Sequence, residues 1–390
     1  MCKKVKLGVL GLGNMGTRHA RQILEGHCPE IEVSAVCDVK SERLEWAKNT
    51  LGENVACFEN AEKMMDSGLI DALLVAVPHY DHPKYAIMAM KRGLHVMIEK
   101  PAGVYTKQVL EMNAVADECD VVFGLMMNQR TNCVYRKMRE IIQSGELGAI
   151  RRTNWIITSW YRSQSYFDSG DWRATWSGEG GGVLMNQAPH NIDLWQWICG
   201  IPTKVYTKMH FGKWHDIEVE DDVTTYVEYE NGATGVFITS TGDDPGTNRF
   251  EIVCEKGKLV ADINTLSMWK SDISEPEFSK NNQNPHGKRT FECIENVETD
   301  GFNPKHNGVL NAFAGAILHG TPLVADGREG LDALTLANAM YLSAWTGKEI
   351  ELENFDHELY YEELMKRVKT SRRKTNVTGV VCDLNDTFGS

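Results

Sequence analysis

The segment Gly11-Leu12-Gly13-Asn14-Met15-Gly16 has the glycine spacing of a turn that receives a dinucleotide. Gly11 permits the tight turn, Gly13 lets the backbone approach a pyrophosphate, and Gly16 lets the following helix pack closely on the strand before it. Unpaired amides at that helix start, from Asn14 and Met15 onward, offer hydrogen bonds and a positive dipole end to phosphate. About 20 residues further on, Asp38 closes the next apolar run, where a carboxylate accepts from the adenine ribose hydroxyls and repels a 2′-phosphate. Val39 follows it where NADP binders favour arginine. NAD is therefore the expected cofactor; Lys40 and Arg43 are the cations that would admit NADP. Ala76-Val77-Pro78-His79 ends a later run, and ligands in open α/β sheets sit at such carboxyl edges.

A second concentration of chemistry lies in Trp155–Trp176, with Trp155, Trp160, Tyr161, Tyr166, Phe167, Trp172 and Trp176 interleaved with Arg162, Asp168, Asp171 and Arg173. Some of these rings must be core. The stretch 163–178 is polar and loop-like, and flat rings beside Arg and Asp suit the C–H faces and hydroxyl rims of carbohydrate.

The elements that position these groups follow from periodicity. Val5–Leu10, Ile31–Cys37, Ile70–Val77, His95–Ile98 and Val121–Leu125 are short apolar runs. They alternate with helical patterns at Asn14–Leu24, from Ser41, at Asp81–Arg92 and at Thr106–Glu118. Strands buried on both faces and alternating with helices mean a parallel α/β sheet, a Rossmann domain over residues 1–126. From Tyr135–Ser144, a bridging helix, the rhythm changes. Ile150–Trp160, Val205–Phe211, Val223–Tyr229, Thr234–Ser240, Phe250–Cys254 and Lys258–Ile263 read as strands, with a hairpin at Asn231-Gly232. Residues 127–390 are thus expected to form an α+β domain with a large, mostly antiparallel open sheet. Ser271–Lys288 reads as an exposed excursion, helices return at Asn307–Leu318 and Glu329–Trp345, and Val377–Cys382 is expected to return as a strand.

Composition narrows the partners. With 390 residues, two domains are the natural expectation. A formal net charge of -13 argues against nucleic acid and anionic membrane. No apolar run reaches the roughly 18–20 residues of a membrane span. The ten cysteines form no Cys-x-x-Cys pair and no zinc-spaced cluster, so no metal is expected. Without a signal peptide the expected setting is the cytoplasm, with the thiols reduced.

Glu99-Lys100-Pro101, taken alone, is a solvated charge pair beside a turn. Joined to the glycine turn, Asp38, Gly180-Gly181-Gly182-Val183-Leu184 and His190-Asn191-Ile192-Asp193, it resembles the Gfo/Idh/MocA oxidoreductase family over nearly the whole chain. The resemblance implies an enzyme that moves a hydride between nicotinamide and a hydroxyl carbon of a sugar, cyclitol or glycoside, and a homo-oligomer, dimer or tetramer, paired through the open sheet. It places Lys100 and His190 as catalytic groups. Glu99, His79 and His82 fall beside the cofactor; Asn186, Asp193, Trp172, Arg173, Tyr161 and Trp176 fall beside the substrate. The chemistry asks for such groups independently: alcohol oxidation needs a base near neutral pKa, which histidine supplies, and a cation to stabilise the developing alkoxide. In many members an aspartate occupies the position of Asn186; asparagine is neutral and can donate, so it is expected to orient a hydroxyl. His82, before Pro83, could instead cap its helix.

Oxidation of a glycoside at ring C3 fits an aromatic, open site. Two other function classes share the scaffold. An NAD-recycling glycoside hydrolase would use the same lysine and histidine; the His-Gly pattern of such enzymes is not evident at His190-Asn191. A non-catalytic NAD-binding sensor or assembly subunit would need neither Lys100 nor His190.

Overall fold

The computed structural model describes residues 3–372 together with Lys374 and Val377. Most of Val377–Cys382 therefore lies outside the described residues. The first half runs β1 (Val5–Leu10), α1 (Asn14–Leu24), β2 (Ile31–Cys37), α2 (Ser41–Leu51), β3 (Ala56–Phe58), α3 (Ala61–Met65), β4 (Ala72–Val75), α4 (His82–Met90), β5 (His95–Ile98), α5 (Thr106–Glu118) and β6 (Phe123–Leu125). The six strands are parallel in the order β3-β2-β1-β4-β5-β6. Strand order reverses between β1 and β4, which opens a crevice at their carboxyl ends. The apolar runs form strands because both faces are covered: every residue of β4 is buried. On α1, Gly16, His19, Ala20 and Ile23 share the buried face at helical spacing. The short β3 and α3 carry too few apolar residues to stand out in the sequence.

The second half comprises α6 (Cys133–Ser144), β7 (Ile150–Ile157), α7 (Gln164–Phe167), α8 (Pro189–Cys199), β8 (Lys204–Phe211), β9 (Glu220–Glu228), β10 (Thr234–Ser240), β11 (Asn248–Cys254), β12 (Gly257–Asp262), β13 (Thr265–Lys270), α9 (Glu275–Asn281), β14 (Glu292–Ile294), α10 (Lys305–His319), α11 (Gly330–Thr346), β15 (Ile350–Glu351) and α12 (His357–Lys369). Among the described residues nine strands form one sheet, β14-β13-β12-β11-β7-β10-β9-β8-β15. Only β7 and β10 pair in parallel; the other neighbours are antiparallel. The strands alternate buried and more exposed residues, as a sheet with one covered face requires. The expected excursion at Ser271–Lys288 contains the exposed helix α9, tied down by an ion pair between Arg151 and Glu275.

Trp155 sits at the centre of this sheet. Its ring stacks on Phe250 at 4.3 Å and meets Phe237 edge-on at 6.2 Å. Phe237 in turn stacks on Trp195 of α8 at 5.3 Å, and the Trp195 indole N–H donates to Thr153 Oγ1 at 3.1 Å. These contacts anchor α8 on the sheet and so fix the helix that begins beside His190. Trp155 is fully buried, so this ring belongs to the core and not to a carbohydrate surface.

α10 leaves the second half and packs on the first sheet. Its Val309, Leu310, Phe313 and Ala314 share one apolar cluster with Val9 and Leu12 of the glycine turn region. The nucleotide crevice is thus framed from both halves of the chain.

Candidate active site

The glycine turn has the geometry its spacing predicts. Gly11 adopts φ +90°, and a Cβ there would lie 2.4 Å from the Ala76 carbonyl oxygen. A Cβ on Gly16 would meet the Gly11 carbonyl oxygen at 1.8 Å. A Cβ on Gly13 would meet nothing within 4 Å. Gly13 caps α1 without any side-chain hydrogen bond, so no cap side chain takes up the first-turn amides of Asn14, Met15 and Gly16. Asp38 closes the cradle: its carboxylate accepts from the Leu12 amide at 2.7 Å and the Lys40 amide at 2.9 Å. Each oxygen keeps a second lone pair for a hydroxyl. An open cradle, first-turn amides and an adjacent acid fit a nicotinamide dinucleotide.

At the carboxyl end of β5, Glu99 and Lys100 turn in opposite directions. Glu99 is buried and accepts from His19 of α1 at 2.6 Å. Burial works to raise its carboxyl, but His19, then His306 and Lys100, hold it down at about 2. Glu99 therefore ties β5 to the dinucleotide helix. The Lys100 ammonium donates to the Asn186 carbonyl oxygen at 2.8 Å. Burial pushes Lys100 below the usual lysine value, opposed by Glu99 and Glu179.

Asn186 and His190 arrive on a crowded loop. A Cβ on Gly182 would sit 2.0 Å from the Glu220 carbonyl oxygen. The Glu220 carboxylate holds this loop by accepting from Gly182 N and Leu184 N, both at 2.9 Å, and from the Tyr341 hydroxyl at 2.6 Å. His190 is buried at the start of α8, and its Nδ1 has no hydrogen-bond partner among the described residues. Burial, then the Lys100 charge and His306, push it well below the ordinary histidine value. It is a neutral imidazole at physiological pH and can accept a proton.

Three donors converge on the Tyr166 hydroxyl: Arg173 at 2.8 Å, and the amides of Asn186 and Gln187 at 3.2 Å each. Arg173 lies 4.5 Å from the Tyr166 ring and 4.6 Å from that of Trp172, and Trp172 meets His79 edge-on at 6.0 Å. His79 itself is pinned to the Glu179 carbonyl oxygen at 3.1 Å. Pro78 opens the short turn that carries His79. Lys100, Asn186, Arg173, Trp172 and His79 thus form one connected cluster at the carboxyl edge of β4 and β5, with His190 one loop away.

Four expected positions fall elsewhere. Asp193 is held in an ion pair: Arg130 engages both its oxygens at 2.7 and 2.8 Å, in a pair at most 3% exposed. Burial alone would lower Arg130, but Asp193 and then Glu329 outweigh it and keep the guanidinium charged. Trp176 is core, packed on Tyr341, Trp345 and Phe211. His82 neither caps α4 nor presents a free nitrogen, because Pro101 and Val77 carbonyl oxygens lie 2.7 and 2.8 Å from its ring nitrogens. It staples the β4 loop to the Lys100 turn. Tyr161 is 47% exposed. Glu179 was missed. It lies buried between two glycines, and an acid placed in a glycine run was the available signal.

Among the described residues no group of three or more His, Cys, Asp or Glu could hold a metal ion, and no helix is long and apolar enough to cross a membrane. The eight cysteines among them are free.

Comparison with known proteins bears on the fold and the family. The model of the oxidoreductase family's NAD-binding Rossmann fold matches residues 5–127, and that of the GFO/IDH/MocA C-terminal domain matches residues 135–260. The chain is 24% identical to the myo-inositol 2-dehydrogenase of Thermotoga maritima over 90% of this chain and 99% of that protein. It is 23% identical to the D-glucoside 3-dehydrogenase of Escherichia coli, over 89% and 97%. The crystal structure of the WlbA dehydrogenase from Bordetella pertussis, in complex with NADH and UDP-GlcNAcA, superposes with a TM-score of 0.76 at 27% identity, covering 90% of this chain and 98% of that one.

Proposed function

The chain belongs to the Gfo/Idh/MocA family of NAD(P)-dependent oxidoreductases, which act on CH–OH groups, and we propose that it oxidises a secondary hydroxyl of a sugar, glycoside or cyclitol with NAD. The observation that carries this reading is the meeting of Lys100 with the Asn186 loop, Nζ to carbonyl oxygen at 2.8 Å, at the carboxyl edge of the nucleotide-binding sheet. When bound, nicotinamide supplies the hydride acceptor. The chain's own residues handle everything else.

His190, neutral and buried, accepts the hydroxyl proton. Lys100, as an ammonium, stabilises the alkoxide that develops as the proton leaves. The Asn186 amide, shared with Tyr166 and Glu179, orients the ring hydroxyl. Arg173 and Trp172 form the wall against which the ring rests. Asp38 favours NAD over NADP by repelling a 2′-phosphate. Inositol and glucoside dehydrogenases among the relatives support a polyol ring, and attack at ring C3 of a glycoside fits the aromatic wall. Of the described residues, those up to 126 are assigned to the cofactor domain and those from 127 to the substrate domain, α10 excepted. The outer face of the nine-stranded sheet, with Ile156, Tyr206 and Tyr226 exposed, is the proposed pairing surface of a homo-oligomer.

The test is a panel of inositols, free sugars, nucleotide sugars and aryl glycosides with NAD or NADP, followed by NADH or NADPH absorbance. NAD-dependent turnover of a ring polyol is expected; turnover confined to aliphatic or amino-acid substrates would overturn the reading.

A further inference from the structure

Glu179 is a buried carboxylate, 2% exposed, that the steps above name only as a partner of Asn186. Its placement is specific. One oxygen accepts from the Ala174 amide at 2.6 Å. The other accepts from the Asn186 side-chain amide, and Arg173 Nη1 lies 3.9 Å away. The same Asn186 presents its backbone oxygen to Lys100. A carboxylate, an amide and an ammonium are thus joined through one residue.

We propose that Glu179 is the positioning carboxylate of this site: it fixes the orientation of the Asn186 amide and supplies the negative charge that faces Lys100 across it. An asparagine amide can turn either way, and an acceptor-only partner selects one. With Glu179 ionised, Asn186 must direct its NH2 at Glu179 and Tyr166. Its side-chain oxygen then remains for a substrate hydroxyl, which can donate to it. The charges facing Lys100 are Glu99 and Glu179 on one side of the balance and Arg173 and Arg162 on the other, with the imidazoles of His79, His82, His190 and His306 around them. Glu99 is already engaged by His19, so Glu179 is the carboxylate on the substrate side. Burial raises the Glu179 carboxyl above its ordinary value, and Arg173, the Ala174 amide, Asn186 and Lys100 offset only part of that rise.

The inference rests on the proposed dehydrogenase reading for its kinetic arm only. Glu179→Gln keeps the size and one acceptor but removes the charge. Asn186→Asp beside the native Glu179 puts two carboxylates in buried contact, where they must share a proton. The double variant Glu179→Gln with Asn186→Asp moves one charge across the contact and restores a donor–acceptor pair. Each single variant is expected to lower kcat about 10- to 100-fold, and the double variant to recover to within about threefold of native. The Lys100 titration, followed without cofactor by NMR of its side-chain carbon next to nitrogen, is expected to move to lower pH in Glu179→Gln and back in the double variant. A native Lys100 titration in Glu179→Gln would overturn the proposal. So would a double variant no better than the worse single one while all three melt like the native protein. If Lys100 responds as expected but no ring polyol is ever turned over, the dehydrogenase reading fails and the role of Glu179 stands.

Discussion

Gly13→Ala separates the cofactor from the fold. The backbone at Gly13, φ -69° and ψ -163°, suits alanine, and the added Cβ would meet nothing within 4 Å. Restricting the unfolded chain favours the variant by about 0.4–1 kcal/mol. Alanine is a poorer helix cap than glycine by a similar amount, about 0.5–1 kcal/mol. These effects oppose each other, and stability is expected to change by less than about 1 kcal/mol. The methyl group does occupy the space through which a pyrophosphate approaches the α1 amides. Displacing one phosphate from a backbone amide removes a charge-assisted hydrogen bond worth about 1.5–3 kcal/mol, so the dissociation constant for NAD should rise roughly 10- to 150-fold. Gly16→Ala is the contrast: its Cβ would lie 1.8 Å from a carbonyl oxygen, so it damages the fold itself. Denaturant unfolding measures one quantity and calorimetric titration of NAD the other. Gly13→Ala binding NAD as tightly as the native protein, or losing several kcal/mol of stability, would refute the placement of the pyrophosphate.

Three further outcomes follow from the same geometry. The pH profile of kcat/KM should keep its acid limb below the ordinary histidine value of 6.5, because His190 is depressed and stays a competent base there. Its alkaline limb should fall below the ordinary lysine value of 10.5, because Lys100 is depressed and loses its ammonium early. Lys100→Met should abolish that alkaline limb. Asp193→Ala leaves Arg130 buried with Glu329 as its remaining carboxylate partner among the described residues and should destabilise the protein by about 3–5 kcal/mol, a fall of roughly 4–6 °C in Tm. A native Tm with a sharply raised KM would instead return Asp193 to the substrate. Asp38→Ser removes the carboxylate that repels a 2′-phosphate, so the ratio of kcat/KM for NAD over NADP should fall at least about tenfold; an unchanged ratio would place cofactor choice in other residues.

The parallel sheet was legible because its strands are buried on both faces and its helices carry one apolar stripe, as β4 and α1 illustrate. The dinucleotide turn was legible for a related reason: Gly11, Gly13 and Asp38 act through backbone geometry at fixed spacing. The substrate side was harder. His190 and Asp193 lie on one helix face, and spacing cannot tell which of them meets a guanidinium arriving from 63 residues away. Trp155, Trp172 and Trp176 look alike in sequence, yet one ring fills the sheet core, one lines the site and one packs under α11. Strands β13 and β14 and helix α12 were missed because tertiary pairing, not strong local pattern, holds them. Glu179 was hidden for the opposite reason, since an acid among glycines looks like a solvated loop until burial is known.

The central claim is that Lys100 and His190 handle the proton while a ring hydroxyl carbon gives up its hydride. Single-turnover absorbance of NADH, with the best substrate of the panel, tests it most directly in Lys100→Met and His190→Asn. Each variant is expected to bind NAD within about threefold of native and to lose about 10²- to 10⁴-fold in the rate of NADH formation. Native rates in both variants would contradict the account.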